Sequence, residues 1–212
     1  MLSNKNKLLV LIITFLFIFS GCSKKSERVN KESEIKKFES KEYLLQKVRE
    51  VLGDEVGFAV KGNFNNKGQL EVVAAKDINN STASGIQYFL MGLTGANLSI
   101  TDSTKILDGS LSHSLTNKIK FPFFDYELIY YNSKDYYLGS RGGEQFSYII
   151  NFKDNEIYYS HIISIPERKE TIFLSKNITR DEIKNFFISI AKKDFPSIQI
   201  SSTDIKLDNN NL

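Results

Sequence analysis

The side-chain types most often used in covalent and metal chemistry are rare in this chain. One cysteine, Cys22, and two histidines, His113 and His161, occur in 212 residues. A thiol can attack, bind a metal, form a disulfide or carry a lipid, and an imidazole can act as an acid or base. No Cys/His spacing matches a zinc site, which needs four such ligands in short pairs. We therefore expect no metal and no cofactor.

The sequence around Cys22 favours lipid attachment among these chemistries. Lys5 and Lys7 precede an apolar run over residues 8–19. This run suits the core of a signal peptide and is shorter than the roughly 20 residues of a membrane-spanning helix. The segment "FSGC" that follows resembles the lipobox of exported bacterial lipoproteins, with Phe19 where a small aliphatic residue is usual. The alternatives are a plain signal peptide with an incidental cysteine, or an uncleaved anchor helix.

The resemblance covers residues 1–22 and concerns processing and location. It implies that the Cys22 thiol receives a diacylglycerol, that the chain is cut before this residue, and that fatty acids such as palmitate tie the protein to a membrane. Two or more acyl chains make such an anchor durable. The implied location is a bacterial cell envelope, with the outer membrane favoured over the inner one where a cell has both.

The composition limits the size and the partners of the mature chain. Removal of residues 1–21 leaves about 190 residues, enough for one domain with a core of its own. The formal net charge of +3 falls to about +1 when Lys5 and Lys7 leave with the signal peptide. A nucleic-acid partner would need clustered Lys and Arg, so none is expected.

One loop has a pattern similar to a calcium site. Asn63, Asn65, Gly68 and Glu71 fall at the ligand and turn places of the D-x-D-x-D-G-x-x-D loops of repeat-bearing surface proteins. Calcium prefers several anionic oxygens, and Lys67 stands where a carboxylate would be needed. The pattern therefore favours an Asn/Gly hairpin turn over a metal site.

Two histidine contexts could support acid–base chemistry. His161 lies on the apolar side of a predicted strand, where it is either a pocket acid or base, or a sheet histidine bonded to a tyrosine or a carbonyl group. His113 stands between Ser112 and Ser114, but neighbours in sequence rarely align for nucleophilic attack, and no G-x-S-x-G context surrounds them. The ordinary structural interpretation is favoured for both histidines, and no catalytic residue is assigned.

A tyrosine-rich segment is the best candidate for a binding surface. Tyrosine combines apolar area with a polar tip, which suits recognition of proteins and glycans. Arg141, in the Gly-rich stretch that follows, could meet an anion. The predicted binding residues are Tyr130, Tyr131, Tyr136, Tyr137 and Arg141.

These candidates lie in a β-rich region. Residues 55–62 and 69–76 predict a hairpin, residues 126–140 a second hairpin, and residues 170–175 a further strand. Residues 84–95 are strongly apolar, and their pattern does not decide between a strand and a helix. Residues 96–120 are expected to be irregular, apart from a short strand at 97–101.

The clearest hairpin spans residues 145–165. A two-residue turn at Asp154 and Asn155 pairs Tyr148 with His161 and Lys153 with Glu156. In this register Ile150 faces the core. Ile149 faces the opposite side, where a truncation should cost less if that side is open to solvent.

Two amphipathic helices flank the strands. The first is predicted at residues 33–52, with Ser33 as its cap. The second begins with a Thr179–Glu182 capping box and ends before Pro196. The predicted fold class is α+β, with an antiparallel sheet of hairpins and an amphipathic helix near each end of the domain. The predicted organisation is a signal peptide at 1–21, a flexible polar tether at 22–33, a single domain at 34–205 and a polar tail at 206–212.

These observations support a binding protein rather than an enzyme. We expect a membrane-anchored envelope lipoprotein whose domain binds a protein or a glycan without catalysis. The alternative is a carrier or chaperone that holds an apolar ligand between the aromatic sheet and the helices. A closed apolar cavity would favour the carrier, and a filled core with exposed aromatic rings would favour the binding domain.

Overall fold

The computed structural model describes residues 36–67, 70–94, 97–112, 114–133, 142–201 and 203. The predicted signal peptide, Cys22, the predicted tether and the predicted polar tail lie outside these ranges. The helices of the described part are α1 (Lys41–Leu52) and α2 (Asp181–Asp194). Its strands are β1 (Val56–Gly62), β2 (Glu71–Asn79), β3 (Ser84–Thr94), β4 (Asn97–Ser103), β5 (Ser114–Ile119), β6 (Leu128–Ser133), β7 (Gly143–Asn151), β8 (Glu156–Ser164), β9 (Thr171–Leu174) and β10 (Gln199–Ile200).

The strands form two sheets in a mixed α+β fold. The first sheet has the order β1-β2-β3-β4, and the second has the order β10-β9-β8-β7-β6-β5. Neighbouring strands are antiparallel, except for the short parallel pair of β10 and β9. The α+β class agrees with the sequence. The single sheet that was predicted is in fact two, because the apolar faces of the hairpins pack against each other.

The elements stack in four layers. Helix α1 covers the outer face of the first sheet through Leu44 and Val48. The inner faces of the two sheets meet in a core that contains Val73 and Tyr148. Helix α2 covers the outer face of the second sheet, where Phe187 packs in the third core. Both sheets are therefore covered on both faces. None of the helices in the described ranges is long and apolar enough to cross a bilayer.

The β7–β8 hairpin keeps the predicted faces but not the predicted register. The structure pairs Tyr148 with Tyr159 and Phe146 with His161. The expected Lys153–Glu156 and Tyr148–His161 pairs are wrong, because the connection has four residues, 152–155, rather than two. Asn151 Oδ1 accepts a hydrogen bond from the Asp154 backbone N–H at 3.2 Å, which stabilises the longer turn. The register differs by two positions, so every side chain still points to its predicted side.

Both faces of this hairpin are buried. Ile150 packs between the two sheets, and Ile149 packs against α2. An open face on the Ile149 side is therefore excluded.

The two predicted helix starts have different outcomes. Ser33, the predicted cap of the first helix, lies outside the described residues. Residues 36 and 37 are helical, a turn follows, and α1 begins at Lys41 after Ser40, whose side chain accepts a hydrogen bond from the Tyr43 N–H at 3.4 Å. Helix α2 begins at Asp181, and Arg180 at its N-cap makes no side-chain capping bond, so the Thr179–Glu182 capping box does not form. The Arg180 guanidinium instead lies 4.6 Å from the centroid of the Phe123 ring.

The segments with open or irregular predictions are strands. Residues 84–95 contain β3. Gly85 in this strand has a φ of +152°, and the Leu107 carbonyl oxygen lies so close to it that a Cβ atom would collide. Residues 96–120 contain β4 and also β5. Strand β5 was missed because Ser, Thr and Asn dominate its sequence. It is an edge strand that pairs with β6 on one side only, and polar side chains are common on edge strands.

Candidate binding surface

Two of the tyrosines predicted to form a binding surface are buried, so this part of the prediction is wrong. Tyr130 and Tyr131 are 3% and 0% exposed, because β6 is an interior strand of a sheet that is covered on both faces. Tyr130 points toward α2 and accepts a hydrogen bond from Asn132 Nδ2 at 2.9 Å. Tyr131 points toward the first sheet. Neither ring can contact a partner from the surface. Tyr136, Tyr137 and Arg141 lie outside the described residues.

Hydrogen bonds to Glu71 hold the described part of the loop with the calcium-like pattern. Glu71 is buried, and its Oε2 accepts hydrogen bonds from the backbone N–H groups of Phe64 at 2.6 Å and Asn65 at 2.8 Å. Two amide donors thus meet the carboxylate that a cation would otherwise need. In the described ranges, no group of three acidic, histidine or cysteine side chains is arranged to hold a metal ion.

The serines around His113 have structural roles where they are described. Ser112 Oγ lies 2.9 Å from Ser110 Oγ, and Ser114 Oγ donates a hydrogen bond to the Leu111 carbonyl at 3.3 Å. Ser110 Oγ in turn donates to the Asp77 carboxylate at 3.2 Å. These contacts shape the loop before β5. His113 lies outside the described residues.

Two cross-strand rows of aromatic rings lie side by side on the inner face of the second sheet. The tyrosine row consists of Tyr131, Tyr148 and Tyr159 on β6, β7 and β8, with ring centroids 5.7 and 5.1 Å apart. The histidine row consists of Phe146, His161 and Phe173 on β7, β8 and β9, with centroids 4.7 and 6.3 Å apart. Strand register creates both rows, because directly paired residues share a face.

Burial decreases from one row to the next along the strands. The rings of the tyrosine row are buried, and those of the histidine row are half-buried. Glu144, two residues before Phe146, is exposed. Its Oε2 lies 3.1 Å from His161 Nε2, with side-chain exposures of 56% for Glu144 and 18% for His161. The histidine row therefore lies at the rim of the core, with a carboxylate on its outer side.

The hydroxyl groups of the tyrosine row differ in their partners. Tyr131 OH accepts from the Ser110 N–H at 3.0 Å and donates to the Ser110 carbonyl at 3.2 Å. Tyr148 OH is buried and makes no hydrogen bond of acceptable geometry, although the Asp108 backbone is close to it. Burial, followed by the charges of nearby groups, raises the pKa of Tyr148 far above its ordinary value.

The pKa of Tyr159 is raised above its ordinary value. Burial is the main reason that its pKa is raised, and the negative charges of Asp108 and Glu144 raise the pKa further. The hydroxyl is therefore protonated at neutral pH.

The sequence pattern indicated His161 as a candidate but did not indicate its neighbours in the fold. Glu144 was assigned to a flexible turn, and Phe146 and Phe173 were treated as ordinary strand residues. In the described ranges, the contacts of His161 are with three aromatic rings and one carboxylate. Ring faces beside a carboxylate suit the recognition of a ligand with an apolar part and a positive charge.

A second aromatic cluster closes the core near the start of α2. Phe123 contacts Phe121 and Phe124, Phe121 contacts Phe186, and Phe124 contacts Tyr126. Arg180 already covers the Phe123 ring, and Lys153 Nζ lies 4.5 Å from the Tyr126 centroid. The run "FPFFDY" in the sequence could have revealed this cluster. Since cations of the chain occupy two of its ring faces, the cluster serves the stability of the fold.

Comparisons with known proteins gave no relative: no protein-family model, curated protein or solved structure matches this chain.

Proposed function

We propose that this chain is a lipoprotein of a bacterial cell envelope whose domain binds a partner without catalysis. The support for the anchor is the lipobox-like segment, in which Cys22 would carry the lipid. The support for binding is the histidine row. The domain would span residues 34–205 with a helix near each end, connected to the outer rather than the inner membrane by a tether at 22–33.

The half-buried state of the histidine row carries the binding proposal. A chain that buries Tyr131 and Tyr148 completely has enough core to bury further rings, and large apolar side chains at a rim contribute little to stability there. Aromatic rings that stay accessible beside a charged rim are typical of recognition surfaces. The partner would be a protein or a glycan, and no nucleic acid is expected.

The carrier alternative has less support. The space between α2 and the second sheet is filled by Ile183, Phe187 and Ala191. A depression of about 510 Å³ lies on the exposed side of α1. This depression is open rather than closed, and its lining is mostly charged or polar: Glu42, Leu45, Gln46, Arg49, Glu50 and Asp54. An apolar ligand would need a closed apolar space instead.

Site-specific photocrosslinking in intact envelopes tests the binding proposal. Phe173 is replaced by p-benzoylphenylalanine, and Val51, exposed on α1 in another layer, is replaced in the same way as the matched control. We expect a discrete adduct from position 173 that position 51 does not give. The proposal fails if position 173 gives no adduct, or if both positions give the same products.

A further inference from the structure

We propose that strand β4, at the edge of the first sheet, binds an extended segment of a partner polypeptide, which adds to this sheet as a further β-strand. This interaction surface does not depend on the histidine row, which belongs to the second sheet. Three geometric features of the described residues support it: the open backbone of β4, the state of the other sheet edges, and an apolar cross-strand row that ends at an exposed isoleucine.

The backbone of β4 is bonded on one side only. This strand is the last of the first sheet and pairs with β3. In an antiparallel ladder, alternate residues direct their N–H and C=O groups away from the paired strand. Within the described ranges, the backbone hydrogen bonds of β4 are made with β3, apart from the Ser103 N–H, which donates to Asp102 Oδ1 at 2.7 Å. A row of free donors and acceptors with this spacing is complementary to an extended peptide.

The other edges in the described part of the chain are bridged or very short. Lys118 Nζ of β5 donates to the Lys61 carbonyl of β1 at 3.1 Å, and Thr116 Oγ1 of β5 lies 3.1 Å from Tyr88 OH of the first sheet. These contacts join the edge strands β1 and β5, and β10 has only two residues. Strand β4 has seven residues, and none of them is a lysine or a proline, which often protect an edge from further pairing.

A cross-strand row on the α1 side of the first sheet ends at β4 with an exposed apolar side chain. The register aligns Lys61, Val72, Met91 and Ile100. Val72 and Met91 are buried in the core beneath α1. At the β1 end, Lys61 closes the row through an ion pair with Glu39. At the β4 end, Ile100 is 48% exposed, so an added strand would place an aliphatic side chain against it.

The two faces of β4 specify the side chains of the added strand. Leu98 and Ile100 lie on the α1 side, because they pair with residues of the core beneath α1. Ser99 and Asp102 lie on the opposite side. Directly paired side chains of neighbouring strands share a face. The partner segment therefore alternates aliphatic side chains, beside Ile100, with polar ones.

A separate segment fits this edge better than a second copy of the chain. The register between β3 and β4 shifts at Thr101, which has no partner on β3, and such a bulge bends its strand. A second copy would bring the same bulge, so the regular pairing of two β4 strands would be limited to residues 97–100. A segment without a bulge can follow the bend.

Peptide binding to the full chain in detergent micelles tests this inference. The probe is a fluorescent octapeptide of alternating lysine and valine, which is soluble and has one aliphatic face, and fluorescence anisotropy measures its affinity. We expect Ile100→Lys to weaken binding by about tenfold or more, because it removes the apolar contact and protects the edge. Leu115→Lys adds the same charge at an exposed apolar position of the edge strand β5 and should leave the affinity unchanged.

Methylation of the probe backbone separates strand addition from contact through side chains alone. Two further probes carry methyl groups on the backbone nitrogens of all lysines or of all valines. In an added strand, one of these sets of nitrogens faces β4 and the other faces solvent. One methylated probe should therefore bind like the parent peptide, and the other should lose binding. Equal affinities of the two methylated probes would contradict the inference.

Other outcomes overturn the inference without affecting the proposed function. Failure of the unmethylated probe to bind, or equal weakening by Leu115→Lys, would show that β4 does not accept such a strand. A wild-type dimer in size-exclusion chromatography that becomes a monomer in Ile100→Lys would replace the partner segment with a second copy. The crosslink from position 173 tests the histidine row by itself and is independent of these results.

Discussion

Ile149 and Ile150 are neighbours in the chain, but their side chains enter different hydrophobic cores. Ile150 packs between the two sheets and Ile149 packs beneath α2. Both are almost completely buried, with exposures of 0% for Ile149 and 2% for Ile150. Strand β7 therefore contributes equally to two layers of packing.

Truncation of either isoleucine should destabilise the domain to a similar extent. We expect Ile149→Ala and Ile150→Ala each to lower the free energy of unfolding by about 2–5 kcal/mol, because each leaves a cavity in a packed core. Denaturant unfolding of the two variants measures this. Ile100→Ala, at an exposed position on β4, is the control and should cost far less. A small effect of Ile149→Ala alone would mean that α2 does not cover this face in solution.

Loss of Cys22 should release the protein from membranes. If this thiol carries the lipid, Cys22→Ala gives an unacylated protein, because the acyl chains supply the apolar burial that anchors the wild type. Phase separation in a detergent that clouds on warming shows the change as a shift from the detergent phase to the aqueous phase. The lipoprotein interpretation fails if the variant and the wild type partition equally.

The Glu71 carboxylate should stabilise its loop in the absence of calcium. Glu71→Ala leaves the buried N–H groups of Phe64 and Asn65 without their acceptor, and we expect a loss of about 2–3 kcal/mol. Thermal unfolding in chelator and in millimolar calcium checks both parts of the expectation. The wild-type Tm should be the same in the two solutions, and a higher Tm in calcium would restore the metal interpretation of this loop.

Asp154 should stabilise the domain above its unfolded pKa. Its Oδ2 accepts hydrogen bonds from Tyr126 OH at 2.6 Å and Asn151 Nδ2 at 2.9 Å, and these bonds hold the pKa of Asp154 below its ordinary value. The stabilisation is therefore present above about pH 4 and disappears as the pH falls through the folded pKa. The stability difference between the wild type and Asp154→Asn should shrink between pH 6 and pH 3. A stability difference that stays constant from pH 6 to pH 3 would contradict this prediction.

Tyr126 gives the alkaline counterpart of this prediction. Burial, and then the hydrogen bond to Asp154, raise the pKa of Tyr126 to about 12. A raised folded pKa gives stability that is complete below the unfolded value of about 10 and is lost as the pH rises toward 12. Tyr126→Phe should therefore lose less stability than the wild type over this range. Denaturant unfolding at pH 9 and pH 11 measures the loss of stability for each protein, and the loss should be larger for the wild type than for the variant.

Local patterns were sufficient to predict the faces of the β7–β8 hairpin. Successive side chains of a strand point to opposite sides, so alternation along residues 145–165 assigns each residue to a face. The register was not predictable in the same way, because it depends on a side-chain bond from Asn151 to the turn. For the same reason, His161 was placed beside Tyr148 in the sequence analysis and lies beside Phe146 in the fold.

The burial of tyrosines required knowledge of the sheet order. Tyr130 and Tyr131 have the composition of a binding surface, and an edge strand with one open face would have exposed one of them. Strand β6 instead lies between β5 and β7, with α2 on one side and the first sheet on the other. No local property of the segment encodes these neighbours.

The proposed lipid attachment at Cys22 rests on the sequence alone, because a lipobox-like segment is contiguous and its residues need no fold to stand side by side. The candidate binding surface is different in kind. Glu144, Phe146, His161 and Phe173 come from three strands, and only the pairing of β7, β8 and β9 brings them together. That pairing is a cooperative result of two sheets burying their apolar faces against each other, so the tertiary structure decides where the surface lies.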